Sequence, residues 1–190
     1  MSRGINQQFN SNSLFKVEDP LIKTLEDKTP VIHPTAFVSE AAYVVGDVEI
    51  GEGSSIWPGT VIRGDSGKVK IGKYTNIQDN SVVHGDADLE IGDYVTVGHR
   101  VMCHAKFIGH QSLIGNGSIL NDGVIIGENS VVGSGAMLLE NMDIPEKSIV
   151  VGMPGRVRGE AQQKHFDLQE ELAKLYSDKA KRYKNQGDLE

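Results

Sequence analysis

The chain lacks most of the devices that stabilise a small protein by means other than its own packing. A single cysteine, Cys103, cannot form an internal disulfide, which excludes a cross-linked secreted scaffold. No stretch near the start combines positive charge, an apolar run and a small-residue cleavage site, so the chain is expected to be soluble and cytoplasmic. Long apolar runs are missing as well, and none approaches the roughly 20 residues needed to span a bilayer. Basic charge is scarce: the formal net charge is −7, and no block of Lys or Arg is present. That excludes nucleic acid and an anionic membrane surface as main partners. Aromatic residues make up only 6% of the chain, which implies a thin core.

What the sequence has in abundance is glycine, 22 residues of 190, and a short period. Stepping by six from Val44 meets Ile50, Ile56 and Ile62; then come Ile71, Ile77 and Val83, then Ile91, Val97 and Cys103. A last run holds Ile108, Ile114, Leu120, Ile126, Val132, Leu138 and Ile144. Glycine follows many of these aliphatics, as at Gly51, Gly72, Gly92 and Gly98. A helix wants a period of 3.6 and an alternating strand a period of 2, so neither accounts for six. One short strand and one turn per hexapeptide does, with three hexapeptides closing a coil of about 18 residues. The sequence therefore predicts an all-β solenoid, a left-handed parallel β-helix, over residues 30–159. Residues 1–29 read as a polar N-terminal arm. Residues 160–190 read as a C-terminal amphipathic helix with Phe166, Leu172, Leu175, Tyr176 and Tyr183 as its apolar positions. The period breaks between Ile62 and Ile71, between Val83 and Ile91, and between Cys103 and Ile108. Insertions of this kind are expected to form loops on one face.

The period converts sequence spacing into neighbourhood. Ile62, Val83, Cys103 and Leu120 begin strands on one face, so Arg63, His84, His104 and Asn121 should form a ladder at about 4.8 Å per step. On another face Trp57 stacks with Gln78, and His99 falls around a corner from the paired histidines. Three imidazoles suffice for a catalytic metal with an open fourth position, but one prism does not converge all three. A three-fold ring of identical chains closes the gap, since one face of each protomer then meets a different face of the next. The plainer alternative is that these are three polar surface residues, as any outward position on a solenoid can carry a histidine by chance. His33, His110 and His165 fall outside the ladder.

Four segments, SSIWPGTVIRGD, VKIGKYTNIQDNSVVHGD, VTVGHRVMCHAKFIG and VVGMPGRVRG, together resemble the γ-class carbonic anhydrase family of hexapeptide-repeat proteins over Pro30 to Glu160. The resemblance implies a homotrimer that hydrates carbon dioxide reversibly to bicarbonate. It implies a Zn2+, Co2+ or Fe2+ ion at each subunit boundary with His84, His99 and His104 as ligands. It implies that Arg63 and Asp65 form a cross-subunit salt bridge, that Gln78 orients the reacting water, that Asp79 supports the site from behind, and that Tyr176 is an active-site tyrosine. A cation so held lowers the pKa of a bound water to roughly 7. The chain departs from the family's archaeal prototype where Ser66 stands in place of a glutamate and where HGDADLEIG is too short for an acidic loop. Asp86, Asp88 and Glu90 are the nearby carboxylates. Three other readings follow from the same residues: a metal-dependent thioesterase or small acyl hydrolase, a hexapeptide-repeat acyltransferase with one histidine as general base, and a non-catalytic assembly subunit.

Overall fold

The computed structural model describes residues 21–186. Two-residue strands succeed one another at turns of three or four residues and pair in parallel with the strand one coil above and below. One face of the prism stacks Phe37–Val38, Ser55–Ile56, Asn76–Ile77, Thr96–Val97, Leu113–Ile114, Val131–Val132 and Ser148–Val151. The solenoid thus rises through seven coils as a left-handed parallel β-helix. Pairings such as Ile56↔Ile77↔Val97↔Ile114 and Ile62↔Val83↔Cys103↔Leu120 match the count by sixes. All of these aliphatics are fully buried. Burying one such side chain contributes about 1.5–3 kcal/mol, and stacking keeps each in contact with its copies above and below.

Small hydroxyl residues share the inner corners with buried aliphatics such as Val95, Val101 and Val124. Thr75 shows what they do: its Oγ1 donates to the Gly92 carbonyl at 2.7 Å and accepts from the Val95 amide at 3.0 Å. Ser54, Ser81, Ser112 and Ser130 repeat the pattern in their own coils. They satisfy buried backbone groups that the turn leaves without a strand partner.

The longest break in the period is not a loop. Residues 61–71 form one continuous strand, Val61–Ile71, which bends across a corner beside Tyr43–Ile50. Glycine makes the bend possible: Gly46 has φ +82°, and a Cβ on it would lie 2.4 Å from the Gly64 carbonyl oxygen. The extra residues carry Asp65 along the corner, next to the coil that holds His84.

Residues 1–20 of the N-terminal arm lie outside the described residues. The rest of the arm does not hang free, because Leu21–Lys23 pairs in parallel with Tyr43–Val45 and caps the first coil. At the far end Arg156–Glu160 folds back antiparallel on Ser148–Val151. Helix α1, Gln163–Gln186, then runs back along the solenoid over the strands at residues 96–97, 76–77, 55–56 and 37–38. Lys184 reaches the first coil, where its Nζ donates to the carbonyls of Pro34 and Ala36. Among the described residues no helix is long and apolar enough to cross a membrane.

The helix buries a different face from the one its leucines suggest. Gln169, Ala173, Ser177 and Ala180 are its buried residues, whereas Leu175 is 46% exposed. Small side chains let the helix backbone approach the flat, polar strand surface of Ser55, Asn76 and Thr96. Tyr176 and Tyr183 behave as expected, meeting the Trp57 ring edge-on with centroids 5.5 and 5.2 Å away. Gln169 is 1% exposed, and neither its Nε2 nor its Oε1 has a hydrogen-bond partner among the described residues. An unmet buried polar group costs about 1–3 kcal/mol. Gln169→Met, which keeps the volume and removes the unmet groups, should raise the thermal midpoint by about 2–6 °C in scanning calorimetry. The Cys103 thiol is fully buried and pushed up to about 11 by that burial, partly offset by a backbone hydrogen bond. It should stay unreactive toward a thiol reagent at neutral pH and titrate as one group per chain once the protein is unfolded, because the thiolate is the reacting form.

Candidate metal centre

Parallel pairing of Val61–Arg63 with Val82–His84 sets Arg63 beside His84, and the next pairing, Cys103 with Val83, sets His104 beside His84 on the other side. The ladder read from the sequence is therefore present. His84 Nδ1 lies 2.9 Å from His104 Nε2, with ring centroids 4.8 Å apart and planes inclined at 59°. The outer nitrogen of each ring meets an aspartate. His84 Nε2 is 2.8 Å from Asp65 Oδ1, and His104 Nδ1 is 2.5 Å from Asp122 Oδ1.

These contacts select the tautomer that each ring adopts in its neutral form. An ionised carboxylate only accepts hydrogen bonds, so the hydrogen on each neutral ring sits on the outer nitrogen. The two inner nitrogens then face each other with a lone pair apiece. At 2.9 Å two lone pairs repel unless a proton or a metal cation lies between them. Two imidazole nitrogens bound tetrahedrally at roughly 2.0–2.1 Å from a zinc ion stand about 3.3 Å apart, a few tenths of an ångström from the separation found. The donor set thus fits a divalent cation, and each ring carries the carboxylate partner that metal-ligating histidines have.

The third histidine stands apart from the first two. His99 lies on the turn between Thr96–Val97 and Met102–Cys103, with its Nδ1 3.0 Å from Asp79 Oδ2. Its Nε2 has no hydrogen-bond partner among the described residues. Nor do three His, Cys, Asp or Glu side chains gather around one point among them. One chain therefore supplies two facing imidazoles at one place and a third, with its own aspartate, around the corner.

The remaining expected residues fall in two groups. Arg63 forms an ion pair with Asp65 inside the same chain, so Asp65 bridges a guanidinium and His84. Burial alone would raise the Asp65 carboxyl; the hydrogen bond from His84 and the charge of Arg63 overcome it and hold Asp65 below the ordinary range. Gln78 sits on the other side of the corner, 5% exposed. Its Nε2 donates to Asn76 Oδ1 at 2.9 Å, and Asn76 in turn donates to Thr96 Oγ1 at 3.0 Å. Gln78 Oε1 is left without a partner among the described residues. Tyr176, on helix α1, packs on Trp57; burial raises its phenol first, and the charge of Asp79 raises it further.

Two supporting residues were not picked out from the sequence. Asn76 precedes Gln78 by two positions, the spacing that puts two side chains on one side of a strand. Asp122 lies one coil beyond His104, immediately after the ladder position at Asn121. Of the three acidic residues in the short HGDADLEIG segment, two are committed elsewhere. Asp88 accepts from the Lys68 amide, and Glu90 pairs with Lys70.

Comparison with known proteins agrees with this geometry. The family model described as "Bacterial transferase hexapeptide (six repeats)" matches residues 29–64 and 106–139. A carbonic anhydrase of Geobacillus kaustophilus is 39% identical over 166 residues, covering 86% of this chain and 91% of that protein. Gamma carbonic anhydrase 1, mitochondrial, of Arabidopsis thaliana is 41% identical over 138 residues, 68% of this chain. The chain spans about half the length of that plant relative. A solved Bacillus cereus structure described as a putative acetyltransferase superposes with a TM-score of 0.84 at 36% identity, covering 89% of this chain and 99% of that one. With the bacterial enzyme matched along nearly its whole length, and with the paired histidines in register, the chain belongs to the γ-class carbonic anhydrase family of hexapeptide-repeat proteins.

Proposed function

We propose that the protein is a homotrimeric, metal-dependent enzyme that hydrates carbon dioxide reversibly to bicarbonate and a proton. The observation that carries the proposal is the facing pair of ring nitrogens on His84 and His104. Two neutral imidazoles, each tied to an aspartate on its far side, form half of a cation site and hold their lone pairs ready for it. His99 of a neighbouring protomer completes the ligand set. Zn2+ is the cation assigned, with Fe2+ and Co2+ as alternatives, because imidazole suits all three.

The surface around the pair supports the assembly. Tyr43, Val61, Val82, Ile119 and Met137 form a half-buried apolar column on the same face, and Met102 in its middle is 43% exposed. A neighbour whose corner carries Asp79 and His99 would cover this column and bring His99 to the ladder. Such a head-to-tail contact closes into a ring after three copies.

When bound, a divalent cation supplies a Lewis acid that brings water close to ionisation near neutral pH. The chain's own residues do the rest. Asp65, Asp79 and Asp122 hold the three rings with their ligand nitrogens free. Asn76 fixes Gln78 so that its Oε1 is presented as an acceptor, able to hold a water proton and so orient the oxygen lone pair toward carbon dioxide. Tyr176 packs from helix α1 on Trp57, the residue stacked beside Gln78 in the preceding coil. The released proton needs a carboxylate acceptor. Of Asp86, Asp88 and Glu90, only Asp86 is free of a side-chain hydrogen bond or ion pair among the described residues, which makes it the acceptor in this reading.

The acyltransferase reading draws support from the Bacillus cereus structure and from the family model's name. It needs one imidazole with a lone pair turned toward substrate. His84 and His104 do not meet that need, since both nitrogens of each ring are engaged; of the three site histidines His99 alone keeps a nitrogen without a partner among the described residues. Metal content of protein purified without oxygen or chelator should be close to one ion per chain, with carbon dioxide hydration that a chelator abolishes. His84→Ala, His99→Ala and His104→Ala should each cut bound metal at least tenfold. Trimers reassembled from a mixture of the His84→Ala and His99→Ala chains should regain part of the metal, because some boundaries then receive all three imidazoles. Metal-free protein that acylates an acceptor from acyl-coenzyme A, and loses that activity only on His99→Ala, would overturn the proposal in favour of the transferase.

A further inference from the structure

We infer that Asp122 is a positioning residue for the metal ligand His104, and that through it His104 becomes the more electron-rich of the two rings on this chain. The inference rests on the metal-centre reading proposed above and goes beyond it to a residue that has no place in the ligand set.

The register alone would have made Asn121 the neighbour of His104. Asn121 is unavailable, because its side chain turns along the solenoid and donates from Nδ2 to the Leu138 carbonyl at 2.7 Å. Its backbone carbonyl accepts from the Val124 amide at 3.3 Å, which closes the turn over residues 121–124. Inside that turn Asp122 is pinned from the next coil, where the Asn141 amide donates to the Asp122 carbonyl at 2.8 Å. Gly123 follows with φ +71°, and a Cβ there would lie 2.3 Å from Asn141 Oδ1. The turn is held from both sides and needs glycine at this point, so the carboxylate of Asp122 is delivered to a fixed place. That place is 2.5 Å from His104 Nδ1.

The two ring-holding aspartates differ in what else they touch. Asp65 shares its charge between His84 and the guanidinium of Arg63. Asp122 makes no ion pair with Lys or Arg among the described residues, and His104 is its sole charged or ionisable partner there. A carboxylate whose charge is not neutralised draws the imidazole hydrogen more strongly and leaves more electron density on the opposite nitrogen. Of the two facing nitrogens, Nε2 of His104 is therefore the stronger donor. A carboxylate aimed at Nδ1 also settles which nitrogen carries the hydrogen. An isolated neutral imidazole places it on either one, and only one of the two forms leaves Nε2 free for a cation.

The test uses the full trimer stripped of metal and titrated with Zn2+ against a chromogenic chelator of known affinity. Asp122→Ala and Asp122→Asn are compared with the unaltered protein, with the thermal midpoint and sedimentation of each metal-free form measured alongside. The expected result is Zn2+ affinity lowered about 10–100-fold by Asp122→Ala. Asp122→Asn should also weaken binding, because it keeps the shape and loses the charge. The metal-free midpoints and the trimer should be unchanged. Should Asp122→Ala fail to fold, the isosteric Asp122→Asn carries the comparison. Equal Zn2+ affinity in all three proteins would overturn the inference while leaving the metal centre standing. An unaltered protein that takes up no Zn2+ would overturn the metal centre and this assignment with it. Weakened binding accompanied by an equal fall in the metal-free midpoint would also overturn it, since the role would then be one of folding alone.

Discussion

Consecutive coils of this solenoid touch backbone to backbone, through bonds such as Gln78 N–H to the Val97 carbonyl at 2.9 Å, and that contact tolerates no slip. A shift of one residue would turn Ile77 and Val97 outward and put Gln78 and Gly98 into the core. The close approach also dictates composition. Corners at which a Cβ would strike the next coil within 3 Å, as at Gly64 and Gly67, hold glycine. Others bend through left-handed backbone at Asn80, Asn129 and Asn141, where asparagine is tolerated better than most residues.

Function is an outgrowth of the same stacking. A strand of two residues leaves little room for a pocket, so reactive groups gather as columns, each member contributed by a different coil. Arg63, His84 and His104 form one column; Asp79 and His99 form another around the corner. Neither column by itself gathers three metal-ligating side chains among the described residues. The aspartates that hold the rings come from neighbouring coils: Asp65 follows Arg63 on the strand that runs on through residues 61–71, and Asp122 lies one coil beyond His104.

Much of this was legible in the sequence because hexapeptide counting carries three-dimensional information that ordinary patterning does not. The inward aliphatics, the neighbourhood of His84 and His104 and the separation of His99 all follow from arithmetic on residue numbers. What arithmetic could not give were features decided by side-chain direction. Asn121 and Asp122 are adjacent, and which of them meets His104 depends on the turn geometry around Gly123. The apolar period of residues 166–183 announced a helix and pointed to its leucines, yet the helix rests on Ala173, Ser177 and Ala180, because the strand surface beneath is polar and nearly flat. The stretch 62–71 was expected as a loop and is strand, since Gly46 and Gly64 let two backbones bend together.

A linear stack of coils has two loose ends, and each coil is steadied only by its immediate neighbours. Helix α1 changes that arrangement. By returning along the stack until Lys184 grips the carbonyls of Pro34 and Ala36, it ties residues about 150 positions apart and works as a clasp. Fraying at the first coil must then break the helix contact as well as the strand pairing, so the two extremities are lost together. Such a long-range closure is slow to form by chance encounter, and during synthesis the opening coil waits for its cover until the last turns of the helix have been made.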